Sequence, residues 1–447
     1  MGNRINYDYG FYEGETKGFF DRIKHGEGRF VWNNGHKYEG EYVDGERTGQ
    51  GTYYWPDGDK YEGEWVGGDR TGKGTFYWSN GNKYKGDFRN GKMTGQGVYT
   101  FATGGSYTGR FEDGKFCGYG KMIYKDRSTY EGFWENDSRN GRGTYIDVDG
   151  DKYIGEYQNG SKHGNGLYTW ADGKTYDGGW RDEQKSGYGV FKCPSGDKYE
   201  GYFKDGLQSG KGTYYFPNGN KYEGDWLKGD MHGKGLFTWA DGTTYEGNFV
   251  NDKKEGYGVK KYTNGGKYEG YWKNDEYNGK GTEVFGNKNK YEGDFLDGKL
   301  HGKGLYSWTD GSSYQGDFQR GSFNGYGVKK YKNGCRYEGE WKDSQRHGKG
   351  TYYYFDELKY AGDLAQVKKN GEKVIPKLVL RKTYEGDFVD DQMTGTGVRT
   401  WKNGDRDEGS FKNGKLHGKA TRHYANGKKL ETEWNEGELI KTINLDD

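Results

Sequence analysis

The chain repeats a 23-residue unit, with no change of length over most of its 447 residues. Each regular unit opens with Tyr-x-Gly. Further copies flank the regular run: one with three extra residues at Tyr12, a decayed one at Tyr360, a good one at Tyr384, and weaker ones at Asp407 and Leu430. The fourteen regular openings are Tyr38, Tyr61, Tyr84, Tyr107, Tyr130, Tyr153, Tyr176, Tyr199, Tyr222, Tyr245, Tyr268, Tyr291, Tyr314 and Tyr337. A fixed period of this length is typical of repeat proteins, in which each unit packs against its neighbours in the chain.

Inside the unit, numbered here from position 1 at its tyrosine to position 23, the residue pattern alternates with period two. Positions 1, 3 and 5 hold Tyr, Gly and an aromatic residue, and positions 14, 16 and 18 hold Gly, an aromatic or aliphatic residue, and an aromatic residue. Asn-Gly and Asp-Gly pairs, such as Asp44-Gly45 and Asp57-Gly58, separate these runs and favour tight hairpin turns. The pattern predicts an all-β, elongated repeat fold: a continuous antiparallel meander of about 18 β-hairpins in a twisted, single-layer sheet.

The composition indicates that aromatic rings form the core. Charged residues make up 31 % of the chain, which alone is typical of disorder, yet 18 % of the residues are aromatic and 85 are glycine. All fourteen tryptophans fall at position 5 or 18, once the insertion before Trp32 is discounted. We expect the rings to fill gaps left by glycines at positions 3, 12 and 14. Carboxylates at positions 2 and 4, such as Glu62 and Glu64, should form a solvated opposite face together with the lysine or glutamine of position 13. We expect these carboxylates to pair with lysines across strands.

The unit resembles the MORN (membrane occupation and recognition nexus) repeat, and one full set of the residues that carry the resemblance is Tyr222, Gly224, Trp226, Gly229, Gly233, Gly235 and Gly242. The resemblance covers roughly residues 12–437 and implies an elongated, single-layer antiparallel sheet with a groove. It also implies scaffolding, as in radial-spoke heads of cilia, cytoskeletal collars and membrane junctions. Some members add a lipid-kinase or SET methyltransferase domain, and neither is expected after Trp434.

The repeat pattern divides the chain into five predicted segments. They are an N-terminal tail or cap at 1–11, a main array of about 15 repeats at 12–359, a degenerate repeat or insertion at 360–383, C-terminal repeats at 384–437 and a tail at 438–447.

No constellation of residues indicates catalysis, a cofactor or a bound metal. Strings such as Gly72-Lys73-Gly74 lack the Ser or Thr and the helix that a phosphate-binding loop needs. Histidines at position 11 stand in separate repeats, too far apart to share zinc at about 2.0–2.1 Å; they are His163, His232, His301, His347 and His417, with His25 equivalent. The net charge of +1 leaves no basic excess for nucleic acid. We therefore predict a protein that is not an enzyme and binds no cofactor or nucleic acid.

One candidate interaction site lies in the irregular segment 361–383, where Leu364 replaces the aromatic of position 5 and Lys373 replaces the glycine of position 14. Aliphatic side chains exposed beyond a sheet favour burial against a partner, so this segment is a hypothetical docking or dimerisation element. A looped-out, degenerate hairpin is the alternative. The aliphatic cluster is Val374, Ile375, Leu378, Val379 and Leu380.

A second candidate is a group of lysines within one repeat that could contact acidic lipid headgroups. Asp252 and Glu255 lie among them, so a solvated face is the alternative. The lysines are Lys253, Lys254, Lys260, Lys261 and Lys267. A third candidate is a glycine-lined groove with aromatic walls, which could accept an extended peptide or a helix, although its rings could also pack only on one another.

These observations predict a non-catalytic structural scaffold that is cytoplasmic and cytoskeletal. The family resemblance favours a ciliary or flagellar axonemal complex such as a radial spoke. The alternative is a phosphoinositide- or acidic-lipid-binding peripheral adaptor that tethers membrane to cytoskeleton. Expected partners are other structural proteins of a large assembly, with a homodimer and a weak acidic-lipid contact as further alternatives. Met1-Gly2-Asn3 resembles the start of an N-myristoylation signal, but Asn6 stands where Ser or Thr is needed, so an unmodified N-terminus is the competing interpretation.

Overall fold

A computed structural model of the chain describes residues 3–18, 22–357 and 378–444. Regular structure in these residues is entirely strand, with no helix, so the predicted all-β fold of repeated antiparallel hairpins is confirmed. The chain divides into two compact units, which are Met1–Pro217 with Trp226–Gly229, and Asn218–Asp225 with Asp230–Asp447.

The strands of the first unit are β1 (Asn3–Tyr7), β2 (Gly10–Lys17), β3 (Ile23–Trp32), β4 (Lys37–Val43), β5 (Glu46–Tyr54), β6 (Lys60–Val66), β7 (Asp69–Tyr77), β8 (Lys83–Arg89), β9 (Lys92–Thr100), β10 (Ser106–Glu112), β11 (Lys115–Ile123), β12 (Thr129–Glu135), β13 (Ser138–Ile146), β14 (Lys152–Gln158), β15 (Ser161–Thr169), β16 (Thr175–Arg181), β17 (Gln184–Lys192), β18 (Lys198–Lys204) and β19 (Leu207–Tyr215). From β1 to β18, each strand pairs antiparallel with the strand that follows it. Strand β20 (Lys221–Leu227) contributes residues to both units.

The strands of the second unit are β21 (Asp230–Thr238), β22 (Thr244–Val250), β23 (Lys253–Lys261), β24 (Lys267–Lys273), β25 (Glu276–Val284), β26 (Lys290–Leu296), β27 (Lys299–Ser307), β28 (Ser313–Gln319), β29 (Ser322–Lys330), β30 (Arg336–Lys342), β31 (Gln345–Glu357), β32 (Leu378–Val389), β33 (Gln392–Trp401), β34 (Arg406–Lys412), β35 (Lys415–His423), β36 (Lys429–Asn435) and β37 (Glu438–Asn444). These strands also pair antiparallel in chain order.

One face of each hairpin is built from the position-1 tyrosine and the two glycines across which it lies. Tyr61 is fully buried, and its ring covers Gly63 and Gly74, which face each other across β6 and β7. A Cβ atom on Gly63 would lie only 2.5 Å from Cα of Gly74 and 2.6 Å from Oη of Tyr61. The glycines of positions 3 and 14 therefore leave space for the ring, as predicted.

Ring contacts connect this face from repeat to repeat. Tyr61 meets Trp65 of its own repeat edge to face, with the ring centroids 5.3 Å apart, and meets Phe88 of the next repeat at 4.9 Å. The hydroxyl of Tyr61 donates to the carbonyl of Glu64 at 3.1 Å, and Nε1 of Trp65 donates to the carbonyl of Gly51 at 3.1 Å. Burial raises the pKa of Tyr61 because it disfavours the phenolate. The ring side of the sheet thus satisfies its polar atoms while it packs on itself.

The position-12 glycines do not face the rings, which corrects the prediction made from the sequence. In hairpin β6–β7 the register shifts after Gly63, so that Glu64 lies opposite Thr71 and Gly72 belongs to a β-bulge. Gly72 has a φ of +55°, and a Cβ there would overlap the carboxylate of Glu64 on the opposite face from Tyr61. These glycines are required by the bulge rather than by the aromatic core.

The turn at positions 7 and 8 of a repeat forms backbone hydrogen bonds to the preceding repeat, as from Gly45 N–H to the carbonyl of Lys24. Both residues take positive φ, as at Asp44 (54°) and Gly45 (90°), which is the pattern of a type I′ turn. Where position 8 is not glycine, its side chain forms an additional bond. Asp275, with a φ of 71°, donates its N–H to the carbonyl of Lys254 at 3.1 Å and accepts the N–H of Lys254 at 3.0 Å.

The array passes from the repeat of Tyr337 directly to the repeat of Tyr384. Strand β31 pairs with β32 in the register found between other repeats, with Tyr352 opposite Tyr384. Arg346 donates to Asp391 through its backbone N–H and through Nε, both at 2.9 Å, as in other consecutive turns. Both strands run on to a final pair, Glu357 opposite Leu378. In the described residues, β32 therefore follows β31 directly in the sheet, and of the predicted degenerate segment 360–383 only residues 378–383 are described, as part of β32.

Candidate interaction surface

The face opposite the buried rings carries positions 2, 4, 13 and 15 of the repeats, and it forms a groove in the first unit. This groove has a volume of about 1390 Å³ and extends from Glu13 in β2 to Thr108 in β10. Paired glycines form its floor, and polar side chains such as Glu39, Gln50 and Thr75 form its walls. The groove is glycine-lined as expected but not aromatic, because the position-1 and position-5 rings lie on the other side of the sheet.

A second groove lies on the same face of the second unit. It has a volume of about 750 Å³ and extends from Tyr326 in β29 to Ser410 in β34. Its floor is again made of glycines, including Gly339 and Gly350, and its walls include Glu338 and other polar residues. Because backbone atoms of these glycines line the floor, a partner in either groove would meet peptide groups as well as charged side chains.

Ion pairs join neighbouring repeats across this face. The lysine at position 13 contacts the aspartate at position 4 of the next repeat, for example between Lys303 and Asp317 at 2.9 Å and between Lys280 and Asp294 at 2.6 Å. The same contact joins Lys73 to Asp87. Burial raises the pKa of Asp87, but bonds from Lys73 and from the backbone hold that pKa below its ordinary value overall. The predicted pairing of carboxylates with lysines across strands is present.

The position-4 carboxylates have a second role that the sequence did not reveal. Glu64 Oε1 accepts the backbone N–H of Lys73 at 3.0 Å, and Asp294 Oδ2 accepts that of Lys303 at 3.1 Å. Each of these N–H groups belongs to the β-bulge of the same hairpin, where the regular ladder is interrupted. The carboxylates therefore stabilise the hairpin as well as contributing charge to the surface.

Aromatic residues replace the ion pair at three of these cross-strand positions, and sequence reasoning missed them. The residue pairs that face each other are Tyr119 with Phe133, Tyr188 with Tyr202, and Tyr257 with Tyr271. These side chains are exposed, from 48 % at Tyr257 to 58 % at Tyr188. The signal was available in the sequence, because tyrosine recurs at position 13 every third repeat. It was hidden by assigning position 13 to lysine and glutamine.

Comparison with known proteins identifies the repeat. The family model described as MORN repeat matches residues 18–37, 38–60, 61–83, 84–106, 107–129, 130–152, 153–175, 176–198, 199–221, 222–244, 245–267, 268–290, 291–313, 314–336, 337–358, 384–406 and 408–429. The chain is a MORN repeat protein. These segments leave out 359–383, which lies between the repeat of Tyr337 and that of Tyr384. MORN repeats indicate a scaffold for protein–protein or membrane interactions.

Whole-chain comparisons add little to this assignment. No curated protein matches the chain. Among solved structures, the TCP10 domain of Danio rerio CPAP with a peptide of Danio rerio STIL is 12 % identical, with coverage of 49 % of this chain and 92 % of that one, at a TM-score of 0.28. Virginiamycin B lyase from Staphylococcus aureus is 11 % identical, with coverage of 64 % and 92 %, at a TM-score of 0.12. These TM-scores are too low to support an inference about the MORN array.

The structure divides the predicted lysine cluster between different surroundings. Lys254 lies among buried-face rings, 5.4 Å from the centroid of Trp239, and contacts Asp275 at 2.9 Å. Lys260 lies over the same tryptophan at 4.9 Å, and Lys267 pairs with Glu269. Lys253 and Lys261 are exposed. A contact of this cluster with acidic lipid stays a prediction, and it would depend mainly on the exposed Lys253 and Lys261.

The predicted aliphatic docking element lies largely outside the described residues. Val374 and Ile375 belong to the part of the chain that the structure does not describe, and Leu378 is described only as the first residue of β32. Val379 is half-buried, and Leu380 is 39 % exposed. A docking role for this cluster stays a prediction.

Within residues 3–18, 22–357 and 378–444, no group of three or more His, Cys, Asp and Glu side chains is arranged to hold a metal ion. The position-11 histidines lie on separate hairpins, as at His163 in β15 and His301 in β27. In the same ranges, no helix has the length and apolar character needed to span a bilayer.

Proposed function

We propose that this MORN protein is a non-catalytic scaffold that holds other structural proteins along the polar, groove-bearing face of its sheet. The observation that supports this proposal is the pair of open grooves, each floored by glycines and walled by charged and polar side chains. Repeat proteins commonly bind partners along such extended surfaces, because every repeat adds one more row of side chains. The buried-ring face, in contrast, is occupied by contacts of the array with itself.

Photo-crosslinking tests whether the groove is the binding face. A benzoylphenylalanine residue placed at Thr75, which lines the groove of the first unit, should capture protein partners in the native cell. The matched control is the same residue at Asn80, an exposed turn position of the same repeat. Crosslinks at Thr75 but not at Asn80 support the proposal. Equal labelling at both positions, or labelling at Asn80 alone, contradicts it.

The cellular setting that we propose is the cytoskeleton, in a ciliary or flagellar axonemal complex such as a radial spoke. This part rests on the family resemblance and on the scaffold character of the array. Detergent extraction of the native cell tests it. Retention of the protein with the detergent-resistant axoneme supports the setting, and release with the membrane lipids favours the acidic-lipid adaptor instead.

The lipid alternative has its own test at the exposed lysines. Vesicles that contain phosphatidylinositol 4,5-bisphosphate should sediment with the protein if Lys253 and Lys261 contact headgroups, and Lys253→Glu with Lys261→Glu should reduce this binding. Unchanged binding by the double variant would show that these two lysines do not contact the headgroups. A homodimer, also expected as an alternative, would appear as a doubled mass in sedimentation equilibrium.

A further inference from the structure

Position 10 of one repeat contacts position 8 of the next repeat at the edge of the buried-ring face. Arg346, whose guanidinium lies 5.2 Å from the ring centroid of Tyr352, donates Nη2–H to the backbone carbonyl of Asp391 at 2.7 Å. It also donates its Nε–H and its backbone N–H to Oδ1 of Asp391, both at 2.9 Å. Lys254 donates its backbone N–H and Nζ to Asp275 in the same way, at 3.0 and 2.9 Å. Position 10 thus offers a carboxylate slot with two donors: the cationic side chain and the backbone N–H.

In two consecutive repeats of the first unit, this slot has its cation but no carboxylate. Arg47 donates to the carbonyl of Gly68 and Arg70 to that of Gly91, both at 2.7 Å, which is the carbonyl bond that Arg346 makes. A Cβ on Gly68 or on Gly91 would lie 3.6 Å from Nη2 of the arginine. A side chain at position 8 would therefore point toward the guanidinium. Within the described chain, neither arginine forms an ion pair with a carboxylate.

Cations exceed carboxylates along this edge of the first unit. Glu183 already pairs with Lys162 at 3.2 Å, and Asp137 accepts the backbone N–H of Phe116 at 2.7 Å. No carboxylate at position 8 is therefore left for the other cations. From Arg47 to Gly206, position 10 holds the cations Arg47, Arg70, Arg139, Lys162 and Lys185, and position 8 holds the carboxylates Asp137 and Glu183.

Carboxylates that are close in sequence to the two arginines lie on the other side of the sheet. Glu46 and Asp69 directly precede the arginines in their strands, so alternation directs their side chains to the opposite face. Asp113, at position 7, pairs with Lys92 of position 9 at 3.4 Å, also away from the rings. The slots at position 10 are therefore not filled from these positions.

Aromatic rings hold both arginines in place. The guanidinium of Arg47 lies 4.6 Å from the centroid of Trp65, and that of Arg70 lies 5.1 Å from the centroid of Phe76. Burial lowers the pKa of Arg70, and the nearby charge of Arg47 lowers it further. Both side chains remain partly exposed. An added carboxylate would relieve the repulsion between these charges without moving the rings.

We propose that the two slots bind carboxylate side chains of an extended acidic segment of a partner protein, one carboxylate in each slot. Consecutive repeats are two strands apart, about 9.6 Å. An extended or polyproline II chain advances about 3.1–3.4 Å per residue, so a carboxylate at every third residue matches this spacing. A carboxylate is the ligand because the chain itself places Asp391 in the equivalent slot of Arg346. This surface lies opposite the grooves, so the inference does not rest on the proposed groove function.

Two peptides of equal composition test the spacing. Fluorescein-labelled Glu-Pro-Pro-Glu-Pro-Pro holds its carboxylates three residues apart in a polyproline II helix, whereas Glu-Glu-Pro-Pro-Pro-Pro holds them side by side. Fluorescence anisotropy with the full chain should show about tenfold tighter binding of the spaced peptide, because only that peptide fills both slots. Equal affinity for the two peptides would overturn the inference.

The matched variants add the missing carboxylates to the chain itself. Gly68→Asp with Gly91→Asp should form the ion pair that Asp391 forms, since the φ of Asp391 is 69° and those of the two glycines are 86° and 75°. Affinity for the spaced peptide should then fall about tenfold. Asn34→Asp with Asn80→Asp adds the same charge at exposed turns of the opposite sheet edge and should leave the affinity unchanged. An equal loss in both variants, or no loss in the first, would contradict a local slot.

Removal of the cations gives a second measurement. Arg47→Met with Arg70→Met should abolish the preference for the spaced peptide, and Met93 shows that the array accepts methionine at position 10. Circular dichroism checks that the strands are retained. Vesicles with phosphatidylinositol 4,5-bisphosphate that bind only when both arginines are present, together with equal affinity for the two peptides, would assign the row to lipid and overturn the inference. Absence of crosslinks at Thr75 would contradict the groove proposal and not this one.

Discussion

Hairpin β6–β7 carries Tyr61 and Trp65 on one face and Glu62, Glu64 and Lys73 on the other. On the first face, a tyrosine ring fills the space above two glycines, and any added atom overlaps it. On the second face, one register position accepts lysine with aspartate in some repeats and two aromatic rings in others. The same backbone therefore combines a face that fixes the hairpin with a face that is open to variation.

This difference indicates where specificity is encoded. Changes on the buried-ring face alter the stability of the array, because packing there leaves no free volume. Changes on the groove-bearing face alter charge and aromatic character while the sheet is retained.

Gly74→Ala should have the largest effect. The added Cβ would lie 2.5 Å from Cε2 of Tyr61, and the ring cannot move because it is fully buried. We expect the free energy of unfolding of hairpin β6–β7 to fall by about 3 kcal/mol or more, measured by hydrogen exchange of its amides. Gly45→Ala is the control, since no atom lies within 4 Å of its Cβ position and only its φ of +90° opposes the change. That variant should lose about 1 kcal/mol, and equal losses would contradict the packing argument.

Asp275→Ala should have the next largest effect, because it removes a bond to the preceding repeat and leaves alanine at a φ of 71°. We expect a loss of about 2 kcal/mol in hairpin β24–β25 by the same exchange measurement. Asp275→Gly removes the bond but not the favourable turn geometry, so about 1 kcal/mol should be lost. If the glycine variant were the less stable of the two, positive φ would not be the cause.

Glu283 should make part of the buried-ring face sensitive to pH. Burial raises its pKa from 4.5 to about 7, so the folded chain keeps a proton that the unfolded chain releases. The contribution to stability is complete below about pH 4.5 and is lost as the pH rises to about 7. After allowance for partial solvation, we expect hairpin β24–β25 to lose about 1 kcal/mol over this range. In Glu283→Gln this dependence should vanish; if it persists, another group is responsible.

Substitutions on the groove-bearing face should have the smallest effects on stability. Lys303→Ala breaks an exposed ion pair and should cost under about 1 kcal/mol, less at high salt. Tyr188→Ala with Tyr202→Ala should cost about 0.5–1 kcal/mol with no dependence on salt, because the contact is between rings. Denaturant titrations at low and high ionic strength measure both. A salt-dependent loss for the ring pair would contradict the distinction between the ion pairs and the aromatic pairs.

The sequence was sufficient to predict the hairpins, because a fixed period places every aromatic, glycine and turn residue in the same structural position. It predicted correctly that Gly63 and Gly74 accommodate a ring. It was wrong about Gly72, since a β-bulge changes which face the residues after it occupy, and alternation alone does not reveal a bulge.

The candidate surface was harder to predict than the fold. Assigning position 13 to lysine and glutamine concealed Tyr119, Tyr188 and Tyr257, whose importance depends on the cross-strand neighbour rather than on the residue type. The lysine cluster was chosen from its proximity in sequence, yet Lys254 and Lys260 point toward rings on the other face. Side-chain direction, not sequence distance, decides which charges act together.

The direct pairing of β31 with β32 has a consequence for how such an array can change in evolution. Stacking continues from the repeat of Tyr337 to that of Tyr384 in the usual register, although additional chain separates them. Ring and turn contacts thus align the hairpins of the sheet, and their register does not depend on the length of the chain segment between them. New peptide motifs or whole domains can be introduced at this edge, or removed from it, without redesign of the surrounding repeats.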